Sequence, residues 1–232
     1  MVRRVLVALV LGASPVAAAP AADPRALPGG VALGTQEEAA ASLLRAGASL
    51  TVDAWFFGFI AGRLSSPLFK TSQFVAIRAT PEGPRVVRLT DGWAQEGWLD
   101  DRWAEVVPVG ELLVGVLELQ YGFPSHERID FIVTADRGRS WRDLSSLKKP
   151  RYDARYVDLT LRRDGVGVLT LWVPPYQRVP PELVPGFYAY TTRDFGRTWS
   201  EPTISPGEEP RERLERSHEV RDVATLVARL GG

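Results

Sequence analysis

Two eight-residue stretches constrain this chain more than any other feature of its sequence. Residues 134–141 read Thr-Ala-Asp-Arg-Gly-Arg-Ser-Trp, and residues 192–199 read Thr-Arg-Asp-Phe-Gly-Arg-Thr-Trp. Both follow the pattern Thr-x-Asp-x-Gly-x-Ser/Thr-Trp, with every fixed residue at the same offset. Two unrelated Asp-x-Gly turns are the alternative, but two aligned copies favour a repeated structural unit.

The fixed residue types suit a tight turn that leads into a strand. Asp and Thr side chains can hydrogen-bond the backbone amides of the turn, and Gly supplies a positive φ. The closing Trp returns a large apolar ring to the core. Each copy therefore predicts a self-capped β-hairpin. The residues assigned to this structural role are Thr134, Asp136, Gly138, Ser140 and Trp141 in the first copy, and Thr192, Asp194, Gly196, Thr198 and Trp199 in the second.

The pattern resembles the Asp-box, a repeat of bacterial neuraminidases that also occurs in sortilin-type receptors and some secreted ribonucleases. In those families the box usually lies within β-propeller blades and away from the catalytic centre. The resemblance thus implies an all-β fold of the sialidase-like β-propeller type. It identifies a building unit and leaves the activity open.

Strand patterns around the boxes divide residues 49–205 into about three four-stranded antiparallel blades. Each box closes one unit, and Asp164-Gly165 is a two-residue hairpin signal within the later one. A weaker unit comes first, with a predicted strand over 51–60 and a degenerate box at 90–93. Three such blades are too few for the closed ring of a neuraminidase. Terminal helices over the flanks, a ring completed by two chains, a sandwich of sheets and a truncated gene are the alternatives for this partial propeller.

The two ends of the chain predict export and flanking helices. Residues 1–21 have a basic start, a short apolar centre and an Ala-x-Ala-like end, as in a signal peptide cleaved after Ala18 or Ala21. An uncleaved anchor is the alternative, but the apolar run is short for a membrane span. We therefore expect a secreted or periplasmic protein with no membrane span after cleavage. Residues 22–48 predict a leader and a helix at about 36–46, and residues 206–232 a charged linker and an amphipathic helix at about 218–230.

Composition excludes several kinds of chemistry. The chain has no cysteine, which excludes disulfides, thiolate catalysis and Cys-bound zinc. Lys+Arg and Asp+Glu each number 28, so no net field favours nucleic acid. The two histidines, His126 and His218, are remote from each other in the sequence, which argues against a His-rich metal site. We predict neither a metal nor another cofactor.

The resemblance also says what a sialidase would need. In neuraminidases three arginines clamp the substrate carboxylate, a Tyr activated by Glu is the nucleophile, and an Asp is the acid/base. The first arginine lies in a Phe/Tyr-Arg-Ile-Pro motif, which this chain lacks; Arg128-Ile129 is followed by Asp130. We therefore assign no catalytic residue. The sequence favours a non-catalytic binding or assembly module, and a reduced exo-sialidase-like glycoside hydrolase is the alternative.

Two loops carry residue types suited to binding. One places three tryptophans among acids, as in a platform for sugar or peptide, and the other is a stiff Pro-rich connection over 173–181. Blade-core packing of the tryptophans and a lid over the chain's own blade are the alternatives. A protein or carbohydrate ligand and self-association through open blade edges are the expected partners. The candidate surface residues are Trp93, Trp98 and Trp103 in the first loop, and Tyr176 and Arg178 in the second.

Overall fold

The protein is described here from a computed structural model, which covers residues 32–33, 37–56, 59–66, 69–89, 102–119, 128–151, 153–175, 184–208, 210 and 218–230. The predicted signal peptide lies outside these residues. Within them the chain is mostly β-structure with two short helices. In chain order the elements are β1 (Ala32–Leu33), β2 (Glu37–Ala39), α1 (Ala40–Arg45), β3 (Ser49–Phe56), β4 (Phe59–Ser66), β5 (Phe69–Arg78), β6 (Arg85–Arg88), β7 (Arg102–Val109), β8 (Leu112–Leu119), β9 (Arg128–Thr134), β10 (Trp141–Lys148), β11 (Arg155–Leu161), β12 (Gly167–Val173), β13 (Gly186–Thr192), β14 (Thr203–Ser205), β15 (His218–Val220) and α2 (Val223–Leu230).

The strands form three antiparallel sheets, which confirms the predicted all-β class. The first sheet has the order β15-β3-β4-β5-β6-β2, the second β1-β10-β9-β8-β7, and the third β11-β12-β13-β14. Each contains four strands that are consecutive in the sequence. The first two sheets are larger than the predicted four strands because β1, β2 and β15, from outside the predicted β-domain, add edge strands to them.

The predicted ends of strands agree best with the structure where the sequence has a clear turn residue. The Asp164-Gly165 hairpin joins β11 to β12 as predicted, with Gly165 at φ 82°. The single strand predicted over 51–60 is wrong, because β3 and β4 are separate strands that pair as a hairpin. β3 ends at Phe56 and β4 begins at Phe59. Because aromatic residues stand at both strand ends, the sequence pattern shows no break between the two strands.

The second sheet lies between the other two, and its strand β8 is buried on both faces. Every residue of β8 is buried, since alternate side chains point into two different cores. Val114 and Val116 pack in the core shared with the third sheet, whereas Leu113 and Leu117 pack in the core shared with the first. The stack is thus held together by two inter-sheet cores.

The three consecutive-strand units share a backbone irregularity. The first strand of each unit carries a register shift against the second strand, between Val52 and Ala54, between Trp103 and Glu105, and between Tyr156 and Asp158. A bulge at the same place in each unit indicates one repeated plan. These first strands also approach one another, because β7 lies next to both β3 and β11.

Both helices cover the outer face of the first sheet. Leu43 of α1 and Leu226 of α2 are buried there, in one core cluster with Val220 of β15. The prediction of a helix at each end of the chain is confirmed, although both lie on the same flank. Neither described helix is long and apolar enough to cross a membrane.

The predicted starts of both helices are wrong. The expected capping box before α1 is absent, because Glu38 belongs to β2 and its carboxylate pairs with Arg88 at 2.6 Å. Ala39 occupies the N-cap position without a side-chain hydrogen bond. In the C-terminal segment, β15 takes the residues where the helix was expected to begin. Asp222 then caps α2, accepting the backbone N–H of Thr225 at 2.7 Å.

Candidate functional site

The first copy of the repeated motif, residues 134–141 and hereafter the first box, forms the turn between the third and fourth strands of the second sheet, β9 and β10. The Thr134 hydroxyl donates to Asp136 Oδ1 at 2.8 Å and accepts the backbone N–H of Gly138 at 3.0 Å. Asp136 Oδ1 also accepts the Ser140 N–H at 2.9 Å, while Oδ2 accepts the Ser140 hydroxyl at 2.6 Å. The fixed polar side chains of the box therefore bond to one another and to their own turn.

The second box, between β13 and β14, repeats this network almost without change. Thr192 donates to Asp194 at 2.8 Å and accepts the Gly196 N–H at 2.9 Å. Asp194 accepts the N–H and the hydroxyl of Thr198 at 2.9 and 2.6 Å. This agreement supports a capping role for both carboxylates.

Backbone geometry explains the spacing of the box. Gly138 and Gly196 lie at φ 83° and 88°, where a side chain is strained. The residues just before them, Arg137 and Phe195, are also left-handed, at φ 58° and 64°. Since both copies share this conformation, it belongs to the turn itself.

Both box carboxylates have a lowered pKa. Partial burial acts to raise the pKa of Asp136 and Asp194, but the hydrogen bonds outweigh it. The donors to Asp136 are on Ser140, Thr134 and the backbone, and the matching groups serve Asp194. A carboxylate held ionised in this way stabilises a turn and is a poor general acid.

The box tryptophans connect each sheet to the one before it. Trp141 is fully buried, donates its indole N–H to the Gly138 carbonyl at 3.2 Å, and packs against Phe59 of the first sheet. Trp199 is half-buried and packs against Phe131 of the second sheet, with ring centroids 4.8 Å apart. Each box thus belongs to the interface between two sheets.

The first sheet has a reduced version of the same turn. The degenerate box predicted at 90–93 lies outside the described residues and follows β6, the fourth strand of its unit. The turn between the third and fourth strands is instead at 79–84. There the Thr80 hydroxyl donates to the Gly83 carbonyl at 2.7 Å, and it lies 3.0 Å from the Glu82 carboxylate. Thr80 and Glu82 thus repeat the Thr-x-acid pair of the two boxes.

A solvent-facing hollow of about 450 Å³ lies beside the first box, between the second and first sheets. Arg137 and Arg139 on the box turn and Arg78 at the end of β5 line it, together with Ala135 and Asp136. The four lining residues of the box turn are exposed. Sequence reasoning missed this hollow, although arginines at two variable positions of the first box were a signal for it.

The two boxes differ at this point. Phe195 occupies the position in the second box that Arg137 has in the first, and it is buried against Gly165 of the β11–β12 hairpin. The backbone N–H of Phe195 also donates to the Gly165 carbonyl at 3.0 Å. In the second box Phe195 packs the turn against its own sheet. In the first box Arg137 remains exposed to solvent beside the hollow.

A second polar cluster joins the second and third sheets at the opposite end of the strands. Glu118 and Lys149 form a fully buried ion pair at 3.1 Å, and Glu118 also accepts the backbone N–H of Tyr156 at 3.1 Å. The Tyr156 hydroxyl donates to the Glu105 carboxylate, between the first strands β11 and β7. This half-buried Tyr–Glu pair lies away from the boxes.

The predicted surface residues are only partly described. Trp103 is 1% exposed and donates its indole N–H to the Gly62 carbonyl at 3.0 Å, so it is a core residue rather than part of a ligand platform. Trp93, Trp98, Tyr176 and Arg178 lie outside the described residues. Among the residues that the structure describes, no group of three or more His, Cys, Asp or Glu is placed to hold a metal ion.

Compared with known proteins, the chain matches no family model and no curated sequence. The Asp-box resemblance therefore rests on the two motif copies and their shared geometry.

Proposed function

We propose that this chain is an exported, non-catalytic binding or assembly module built from Asp-box blades. The proposal depends on one observation at the first box: its carboxylate is hydrogen-bonded within the turn, whereas its two arginines face solvent. Both carboxylate oxygens of Asp136 accept hydrogen bonds within its own turn. The guanidinium groups of Arg137 and Arg139, by contrast, lie exposed beside an open hollow. A surface that presents free donors and holds its carboxylate in a structural role is suited to binding.

The sheet arrangement supports an incomplete sialidase-like propeller as the framework. Three consecutive units stack in sequence order, their bulged first strands approach one another, and the boxes occupy equivalent turns. The helices α1 and α2 cover the outer flank of the first sheet. We infer an open set of blades, capped on one side by the chain's own ends.

A direct test is to screen the purified protein on arrays of carbohydrates and peptides. The proposal predicts saturable binding to one ligand class, without chemical change to that ligand. Binding to nothing on either array, together with a single monomeric mass in light scattering, would remove both the binding and the assembly parts of the proposal.

Assembly has its own support on the third sheet. Val166, just before β12, and Val168 on β12 are each 36% exposed. Light scattering that shows a dimer or larger species, reduced to monomer by Val168→Lys, would assign assembly to this sheet. A dimer that this substitution leaves intact would place the contact elsewhere.

One observation favours a reduced glycoside hydrolase as the second candidate. The Tyr156–Glu105 hydrogen bond provides the residue types of the neuraminidase nucleophile pair, at the end away from the boxes. The described arginines of the hollow lie at the box end and do not join this pair in one pocket. Sialoside hydrolysis that Tyr156→Phe abolishes would favour this candidate over the binding module.

A further inference from the structure

We propose that the hollow beside the first Asp-box binds the oxyanion group of a small ligand, a carboxylate or a phosphate, through Arg137, Arg139 and Arg78. This inference rests on the proposed binding function and names the chemistry of its ligand. Guanidinium groups suit such ligands because their planar N–H donors match two oxygens at once.

The positive charge of the hollow is only partly neutralised by the protein. No acid among the described residues pairs with Arg137 or Arg139, and Asp136 is already engaged by Thr134 and Ser140. Glu37 binds Nε and Nη2 of Arg78, which fixes this side chain as one wall of the hollow. A bound anion would satisfy donors that now face water.

A fourth arginine lies beside Arg78 on the first sheet, outside the lining of the hollow. Arg85 lies directly opposite Arg78 in the β5–β6 pairing, and side chains at opposite positions share one face of a sheet. Arg78, Arg137 and Arg139 line the hollow, and the carboxylates of Asp136 and Glu37 offset only part of their positive charge. Local fields of this kind attract anions and weaken with added salt.

The second box shows that the fold does not require this arrangement. Its turn has the same hydrogen bonds and the same left-handed backbone with Phe195 in place of Arg137, and there the side chain is buried. The turn therefore forms equally well with a buried apolar residue at this position, and its stability does not require the exposed Arg137. Ligand binding is a role that would explain an exposed arginine there.

The size of the hollow is compatible with a small ligand. A space of about 450 Å³ falls in the range of small-molecule sites and admits a single sugar ring or an organic acid. D-glucuronate and D-glucose 6-phosphate are suitable probes, because they place a carboxylate or a phosphate on the same ring. D-glucose is the matched neutral compound.

The test is isothermal titration of the purified protein with these three sugars at low salt. We expect both charged sugars to bind and glucose not to bind. The tighter of the two identifies the preferred oxyanion, and either order agrees with the proposal. The double substitution Arg137→Ala/Arg139→Ala should weaken binding at least tenfold, and Arg139→Lys, which keeps the charge but loses the planar donors, should weaken it less.

The second box supplies the matched control. Arg193→Ala/Arg197→Ala removes the same charge from the second box, and Arg197 is the counterpart of Arg139. We expect this pair to change the affinity less than twofold. Equal weakening by both pairs would show attraction by net charge alone and overturn the proposal.

The result also separates this inference from the function on which it rests. A native protein that binds neither charged sugar, yet binds a neutral glycan or a peptide on the arrays, would overturn the oxyanion site and keep the binding module. A native protein that binds nothing in either experiment would overturn both the oxyanion site and the binding part of the proposed function.

Discussion

The indole ring of Trp141 meets the ring of Phe59 edge-on, with centroids 5.4 Å apart and planes at 78°. Trp141 closes the first box on the second sheet, whereas Phe59 begins β4 of the first sheet. Trp103 joins the same cluster, with its ring 5.6 Å from that of Trp141. The box therefore does two things at once: it caps its own hairpin and fixes its sheet against the preceding one.

Removing the buried box tryptophan should cost more stability than removing the half-buried one. We expect Trp141→Ala to lower the free energy of unfolding by about 3–5 kcal/mol, as for other large-to-small core changes. Trp199→Ala should cost less, because Trp199 remains partly exposed. Urea denaturation measures both, with Val184→Ala, at a residue that is 55% exposed, as control. A larger loss for Trp199→Ala would contradict the assigned order.

The box carboxylates should contribute to stability through their hydrogen bonds. Asp136→Asn replaces a charge-assisted acceptor of the Ser140 groups, and we expect a loss of about 1–2 kcal/mol. Asp194→Asn should behave alike. Asp158→Asn is the control, since Asp158 is an exposed strand residue whose carboxylate accepts the neighbouring Thr160 hydroxyl at 3.2 Å. If either box variant were as stable as the native protein, the capping role would be wrong.

The pH dependence of that loss follows from the direction of the pKa shifts. The folded-state pKa of Asp136 and Asp194 lies below the ordinary value of 3.8, so their contribution is present above that pH. It disappears as the pH falls through the folded-state pKa. The stability difference between native protein and Asp136→Asn should therefore be constant near neutral pH and shrink in acid. A difference that grows below pH 3.8 would reverse the assigned sign.

The buried ion pair between the second and third sheets should be costly to break. Both Glu118 and Lys149 are fully buried, so Lys149→Met removes the ammonium group that faces a buried carboxylate, and we expect a loss of about 3–5 kcal/mol. Arg162→Ala at the exposed Arg162–Asp164 pair is the control, with an expected loss under about 1 kcal/mol. Chemical denaturation of both variants checks the contrast. Similar losses of unfolding free energy in the two variants would mean that burial does not determine how much an ion pair contributes to stability.

The sequence predicts the parts of this fold whose signals are local. Both boxes and the Asp164-Gly165 turn specify their own backbone, and the structure has them where the sequence places them. Long-range pairing decides the rest: Glu37 and Glu38 look like the start of a helix but pair with β6, whose partners are distant in the chain. The candidate site was missed for a related reason. The Arg137 and Arg139 signal is local, but Arg78 reaches the hollow only because two sheets stack.

The measurement that tests the central claim most directly is turnover of a fluorogenic sialoside by the purified protein, with Tyr156→Phe measured in parallel. The binding-module account predicts no release of the fluorophore above the rate without protein, for either form. It also predicts that Tyr156→Phe folds, because the change keeps the ring and removes the hydroxyl that donates to Glu105. Turnover by the native protein that disappears in the folded Tyr156→Phe variant would contradict the account and establish a glycoside hydrolase.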